Sequence, residues 1–146
     1  MDDQIEIKKQ FRQQQEKYVY YIIALCVAAI AFSITETRDS ALKYSQIPLG
    51  IAVLSWGLSI YFGLKFIQTI LSALHSNNSY LDVIKGIHPI VGNHPQKIEY
   101  ASNILKETME ERGKTAGKLY DWQNIFFFIG FISFIVWHIL EMYLNT

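Results

Sequence analysis

The fold is decided by three stretches without a charged side chain: YVYYIIALCVAAIAFSIT (residues 18–35), IPLGIAVLSWGLSIYFGL (47–64) and WQNIFFFIGFISFIVWHIL (122–140). Each stretch is close to the roughly 20 apolar residues that an α-helix needs to cross a hydrocarbon core of about 30 Å. A soluble chain of this size has too little amphipathic sequence to cover three helices that are apolar on all sides. The pattern therefore predicts an all-α membrane protein with three transmembrane helices.

The composition agrees with this prediction. Of the 146 residues, 51% are hydrophobic and 14% aromatic, and the 13 basic residues balance the 13 acidic ones. A net charge of zero argues against direct binding of nucleic acid, and a single cysteine, Cys26, excludes an intramolecular disulfide and a cysteine-based metal site. We expect one integral membrane domain over residues 1–146, with spans at 18–36, 47–75 and 120–143 and a small helical cytoplasmic cap in segment 76–119.

Lysine and arginine are unevenly distributed about the three runs. Ten of them precede the first run or lie between residues 76 and 119. Only Arg38 and Lys43 lie between the first and second runs, and none follows the third. Because cytoplasmic loops carry an excess of these residues, the N-terminus and segment 76–119 are predicted to be cytoplasmic and the C-terminus to lie outside. The expected location is the inner membrane of a bacterium, with lipid as the immediate partner.

Segment 76–119 has several signals for breaks and turns. The second helix is predicted to extend past Lys65 until the polar run 76–79 (Ser-Asn-Asn-Ser) ends it. Two His-Pro pairs, at His88 and His94, bias the backbone away from helix and predict a loop. Pro95 suits the first turn of a new helix, and Gly113 is its predicted end.

The helix after Pro95 has a narrow apolar stripe. Ile98, Ala101, Leu105 and Met109 recur at intervals of three and four residues. Such a stripe needs a cover, so Ile98, Leu105 and Met109 are predicted either to dock a soluble cytoplasmic protein or to pack on another part of the chain.

Small residues mark two helix-packing faces. Ser55, Ser59 and Gly63 follow one another at steps of four in the second run, and Ala24 and Ala28 have the same spacing in the first. This spacing lets membrane helices approach closely, either within one chain or in a homo-oligomer.

A polar cluster is predicted at the outer end of the spans. His138 and Glu141 lie about one helical turn apart, level with the point at which Glu36 and Arg38 leave the first span. The favoured interpretation is simpler: Glu141 only reaches the outer headgroups.

Candidates for chemistry are few. His75, His88 and His94 could hold a metal ion near acidic residues, but their spacing matches no familiar motif, so the favoured interpretation is that they shape a turn and a helix end. We find no paired nucleophile and base, no phosphate-binding glycine loop and no carboxylate pair within a span. We therefore expect no enzymatic activity and no cofactor.

Three strings resemble a known group of proteins: SQIPLGIAVLSWGLSIYFG (45–63), HPIVGNHP (88–95) and WHILEMY (137–143). They are similar to short bacterial three-span integral membrane proteins of unassigned function, and the resemblance covers most of the chain without implying an activity. In layout the chain also resembles small membrane components of bacterial defence systems, in which a cytoplasmic part senses a signal and the spans perturb the membrane.

Three functions are consistent with these observations. The first is a non-enzymatic, homo-oligomeric scaffold of the inner membrane whose cytoplasmic segment docks a soluble partner. The second is an oligomeric channel or membrane-perturbing effector with a pore lined by Ser55 and Ser59. The third is a membrane enzyme or metal protein that uses His88 and His94.

Overall fold

Three long helices account for almost all of the structure. The computed structural model describes residues 2–38 and 44–144, and for residues 2–5 the backbone alone. Helix α1 is Asp2–Thr37, a short 3-10 turn covers Tyr44–Gln46, α2 is Ile47–Ile84 and α3 is Pro95–Leu144. The all-α prediction is confirmed, because each helix is long and apolar enough to cross a membrane and the described residues contain no strand. Residues 39–43, which include Lys43 of the predicted outer loop, lie outside the described residues.

Proline marks the start of two helices. Pro48 is the second residue of α2 and Pro95 the first of α3, positions at which a missing amide hydrogen costs nothing. The carbonyl of His94 accepts the first hydrogen bond of α3, from the amide of Ile98 at 2.9 Å. The predicted helix start at Pro95 is confirmed.

The predicted end of α2 at residues 76–79 is wrong. The helix continues through this polar run to Ile84, and two of its serines bond within the helix. Ser76 Oγ donates to the carbonyl of Ser72 at 3.1 Å, and Ser79 Oγ to that of His75 at 3.3 Å. Each serine or asparagine costs a helix only about 0.7 kcal/mol or less, and tertiary packing routinely outweighs so small a preference. The buried Val83, beyond the run, anchors the last turn.

The true end of α2 is a glycine motif. Gly86 has a φ of +69°, a left-handed conformation that glycine adopts without a steric cost. Its amide donates to the carbonyl of Val83, and the amide of Ile87 donates to that of Asp82, both at 3.0 Å. This pair of bonds is the Schellman motif, which satisfies the last carbonyls of a helix. The predicted loop follows, and a second left-handed glycine, Gly92, lies within it.

Of two further expectations about segment 76–119, the helix end at Gly113 is wrong and the separate helical cap is not supported. Gly113 does not end a helix, because α3 runs through it without interruption for 50 residues, roughly 75 Å. A glycine inside a helix costs about 1 kcal/mol, which a helix of this length tolerates. The structure consequently does not support a separate helical cap: the helical residues of segment 76–119 continue α2 and α3 themselves.

The chain divides into two compact units. Met1–Leu64 and Tyr120–Thr146 form the first, which we call the bundle, and Lys65–Leu119 forms the second, which we call the hairpin. In the bundle, Ile22 and Cys26 of α1 and Ala52 and Trp56 of α2 form a buried cluster, and Phe127 and Phe134 of α3 pack against it. In the hairpin, the C-terminal part of α2 and the N-terminal part of α3 bury four apolar side chains, Phe66, Ile70, Val83 and Ala116.

The outer surface of the bundle is strongly apolar. Large side chains such as Leu25, Leu54 and Ile132 are more than half exposed in the single chain. Monomeric soluble proteins rarely present apolar surface on this scale, whereas the lipid-facing surface of a transmembrane helix has this character. The exposed surface therefore agrees with three membrane spans.

Candidate functional site

One residue, Gln123, is hydrogen-bonded to both of the other helices of the bundle through its side chain and its backbone. Gln123 of α3 is fully buried, and its Nε2 donates to the carbonyl of Val19 in α1 at 3.4 Å. Ser59 of α2 donates from its Oγ to the backbone carbonyl of Gln123 at 2.9 Å. We call Val19, Ser59, Gly63 and Gln123 the polar junction. Hydrogen bonds between helices contribute to association in a bilayer, where water cannot replace them.

A glycine makes room for this amide. A Cβ atom at Gly63 would lie 2.5 Å from Nε2 of Gln123 and 3.0 Å from Cδ1 of Ile23, closer than carbon atoms pack without strain. A similar close approach occurs at Gly130, where a Cβ would lie 2.6 Å from the Trp56 ring. The two glycines therefore allow α2 and α3 to approach each other closely.

Some buried polar atoms of the bundle have no partner within the described part of the chain. They are Oε1 of Gln123 and the indole nitrogens of Trp56 and Trp137. A buried group left without a hydrogen bond costs about 1–3 kcal/mol. Amide and indole groups do not ionise near neutral pH, so the chemistry that they offer is hydrogen bonding.

The two predicted small-residue faces differ in burial. Ser55, Ser59 and Gly63 are buried within the single chain, where Ser59 and Gly63 contact α3 at the polar junction. Ala24 and Ala28 are exposed, because α1 packs through Val19, Ile22 and Cys26 instead. A role for the two alanines in packing between copies stays a prediction.

The predicted outer polar cluster is brought together in part. A pocket of about 300 Å³ lies between α1 and α3, lined by Phe32, Glu36, Phe134, Ile135, Trp137 and His138. It places His138 beside Glu36, which precedes the predicted partner Arg38 by two residues. Arg38 is exposed and, like Glu141, is not part of this lining. The aromatic walls, with Phe134 and Trp137 rings 5.4 Å apart, make the pocket mainly apolar.

The three histidines considered as metal ligands belong to no metal-binding cluster within the described part of the chain. The described residues contain no group of three or more His, Cys, Asp or Glu side chains that could hold a metal ion. His88 instead accepts a hydrogen bond at Nδ1 from the amide of Ile90, at 3.4 Å. This contact stabilises the turn locally, as an asparagine side chain often does. His75 and His94 are exposed.

The predicted docking stripe on α3 is partly covered. Ile98, Ala101, Leu105 and Met109 are all intermediate in burial. More strongly exposed apolar residues lie near the end of the hairpin: Ile87 is 65% exposed, Ile90 86% and Tyr100 71%. We call these three residues the hairpin tip. The most exposed large apolar side chains of the hairpin are therefore at the tip and not on the stripe.

A second pocket, of about 290 Å³, lies within the hairpin between α2 and α3. We call it the basic pocket, and its lining is Lys65, Gln68, Thr69, Ser72, Arg112 and Thr115. Every lining side chain is polar, two are cationic and none is acidic. The guanidinium of Arg112 donates through Nη1 to Ser72 Oγ, and Thr69 Oγ1 donates to the carbonyl of Lys65 at 2.9 Å.

The searches for related proteins found no match: no family model, curated protein or solved structure matches the chain. Its function must therefore be inferred from the chemistry of the polar junction, the two pockets and the hairpin tip.

Proposed function

We propose that this protein is a non-enzymatic interaction protein of a bacterial inner membrane, held in the bilayer by its three-helix bundle. The hairpin docks a soluble protein in the cytoplasm. The observation that carries the proposal is the hairpin tip, whose three side chains are the most exposed of the large hydrophobic side chains in the hairpin.

The exposure of the tip supports docking because water-facing surfaces seldom keep such groups uncovered. Ile90 is 86% exposed and follows Pro89 in the turn between the two helices of the hairpin. Exposed apolar patches on soluble units generally mark binding sites, and we propose that the three residues of the hairpin tip form one. Segment 76–119 has six basic residues, which supports a cytoplasmic location for the hairpin.

Assembly into a homo-oligomer is part of the same proposal. Ala24 and Ala28 present small side chains one helical turn apart on an exposed face of α1. Small residues at this spacing favour close packing with a second transmembrane helix. The face is available to a second copy of the chain because α1 packs within its own chain through other residues.

The alternative function, a channel or membrane-perturbing effector, has less support. A pore between copies was expected to be lined by Ser55 and Ser59, but these are 6% and 0% exposed in the single chain. They would reach a pore only after the contacts between α2 and α3 had broken. Release of a dye from liposomes that contain the purified protein would favour this alternative.

The docking proposal is tested by site-specific photocrosslinking in the cells that naturally make the protein. A photoreactive residue in place of Ile90 should give one adduct of defined mass with a soluble protein. The matched control is Gln96, which is also exposed in the hairpin but polar and should give no such adduct. Adducts at position 90 with lipid alone, or with another copy of this chain alone, would contradict docking of a soluble partner.

A further inference from the structure

The basic pocket has the chemistry of a phosphate site. The guanidinium of Arg112 has five N–H donors in a planar arrangement that matches phosphate oxygens. Its contact with Ser72 Oγ, across the two helices of the hairpin, holds it at the pocket. Lys65 adds a second positive charge to the same lining. The lining therefore has two cationic side chains and no acidic one, a charge distribution that favours an anion.

The size of the pocket fits a small group. Its volume of about 290 Å³ is at the lower limit of the roughly 300–1,000 Å³ found for pockets that hold small molecules. A phosphate with a short polar substituent fits this space. The lining offers hydroxyl groups from Ser72 and Thr115, which suit the oxygens of such a group, whereas the hydroxyl of Thr69 already donates to the carbonyl of Lys65.

The position of the pocket along α2 favours a lipid as the source of the phosphate. The charge-free run of α2 ends at Leu64, and the lining residues on this helix begin with Lys65 and end with Ser72. At about 1.5 Å per residue they cover roughly 1.5–12 Å beyond the run. The headgroup layer on each side of the hydrocarbon core is about 5–8 Å thick. If α2 leaves the hydrocarbon core at Leu64, the near half of the pocket is at the level of lipid phosphates.

We infer that the basic pocket binds a phosphate group, with the headgroup of an anionic phospholipid as the favoured source and a soluble phosphate compound as the other. Basic pockets between helices, next to the cytoplasmic end of a span, recognise anionic headgroups by this chemistry. The inference does not depend on the docking partner of the hairpin tip. It assigns the pocket a ligand and places a specific lipid contact on the hairpin.

The experiment measures thermal unfolding of the full chain in a neutral detergent during three separate titrations. The probes are short-chain phosphatidylglycerol, short-chain phosphatidylcholine and inorganic phosphate. Phosphatidylglycerol should raise Tm, since a ligand that binds only the folded state stabilises it. Phosphatidylcholine, whose headgroup has no net charge, should raise it much less.

Three variants assign the effect to the pocket. Arg112→Gln and Lys65→Gln each remove one lining charge, and Lys106→Gln removes an equal charge from an exposed position of the hairpin outside the lining. Affinity for phosphatidylglycerol should fall roughly 10-fold to 100-fold in the first two, since a hydrogen bond to a charged group contributes about 1.5–3 kcal/mol. Lys106→Gln should bind like the wild type.

The outcomes separate the two sources. A shift with phosphatidylglycerol that Arg112→Gln and Lys65→Gln weaken supports a lipid site. If inorganic phosphate is the only probe that raises Tm, and the same two variants weaken this effect, the ligand is a soluble phosphate compound. Equal shifts in all three variants, equal shifts with phosphatidylcholine, or no shift with any probe would overturn the inference.

Discussion

Gln123 is the residue on which the three helices of the bundle converge. Its side chain donates a hydrogen bond to the backbone of α1, and its backbone carbonyl accepts one from the Ser59 hydroxyl of α2. Gly63 leaves the space that the side-chain amide occupies. Measured hydrogen bonds between membrane helices average about 0.6 kcal/mol, with about 1.7 at most. The polar junction therefore contributes more to the relative placement of the helices than to the total stability.

Two glycines of α2 offer a matched test of this close approach. Gly63→Ala should destabilise the bundle by about 1–3 kcal/mol, the usual cost of overpacking a well-packed site, because the new Cβ meets Gln123. Gly57 is the control: it is exposed, and a Cβ there meets nothing within 4 Å, so Gly57→Ala should cause no loss. Thermal unfolding in detergent measures both variants. If Gly63→Ala is as stable as the control, the described packing of α2 on α3 is incorrect.

The sequence predicted part of the polar junction. The small-residue spacing identified Ser59 and Gly63, although it did not show whether they face a helix of the same chain or of another copy. Gln123 was missed, since one amide in an apolar run forms no spacing pattern and its acceptor is a backbone carbonyl of a distant helix. A signal was nevertheless present: Gln123 and Asn124 are adjacent amides at the start of the third charge-free run.

At the level of the helices, residues of low helix propensity ended fewer helices than the sequence indicated. The run 76–79 and Gly113 lie within helices, whereas Gly86 ends one. A helix interior tolerates a residue of low propensity when its neighbours remain packed, because the cost is about 1 kcal/mol or less. Gly86 differs because its backbone has a left-handed conformation, which helix propensity does not describe.

Gly86 and Gly113 therefore predict opposite effects of the same substitution. Gly86→Ala should destabilise the hairpin by about 1–2 kcal/mol, the cost of a left-handed conformation for a residue with a Cβ. That Cβ would also lie 2.9 Å from Oδ1 of Asn93. Gly113→Ala should stabilise α3 by up to about 1 kcal/mol, since nothing lies within 4 Å of its Cβ. Chemical denaturation of the two variants would measure the difference, and effects of the same sign would contradict this account.

For the molecule as a whole, the distribution of charge along the sequence predicted the number of long helices but not their full lengths or their contacts. Three charge-free runs were sufficient to predict three helices, because the ~30 Å hydrocarbon core demands about 20 residues from each. The sequence predicted that α2 extends past Lys65, but not that it reaches Ile84 or that α3 runs unbroken from Pro95 through the third run. It also left the cover of the α3 stripe open, since periodicity identifies an apolar face but not the surface that contacts it.

If all three helices cross the membrane, the two ends of the chain lie on opposite sides of it. The distribution of basic residues then predicts that the N-terminus and the hairpin lie inside. Reporters fused after Thr146 and inserted in the turn at Asn93 measure this directly, with alkaline phosphatase active only outside and a fluorescent protein only inside. We predict an active phosphatase at Thr146 and an active fluorescent protein at Asn93. Both reporters on the same side of the membrane would contradict the three-span account.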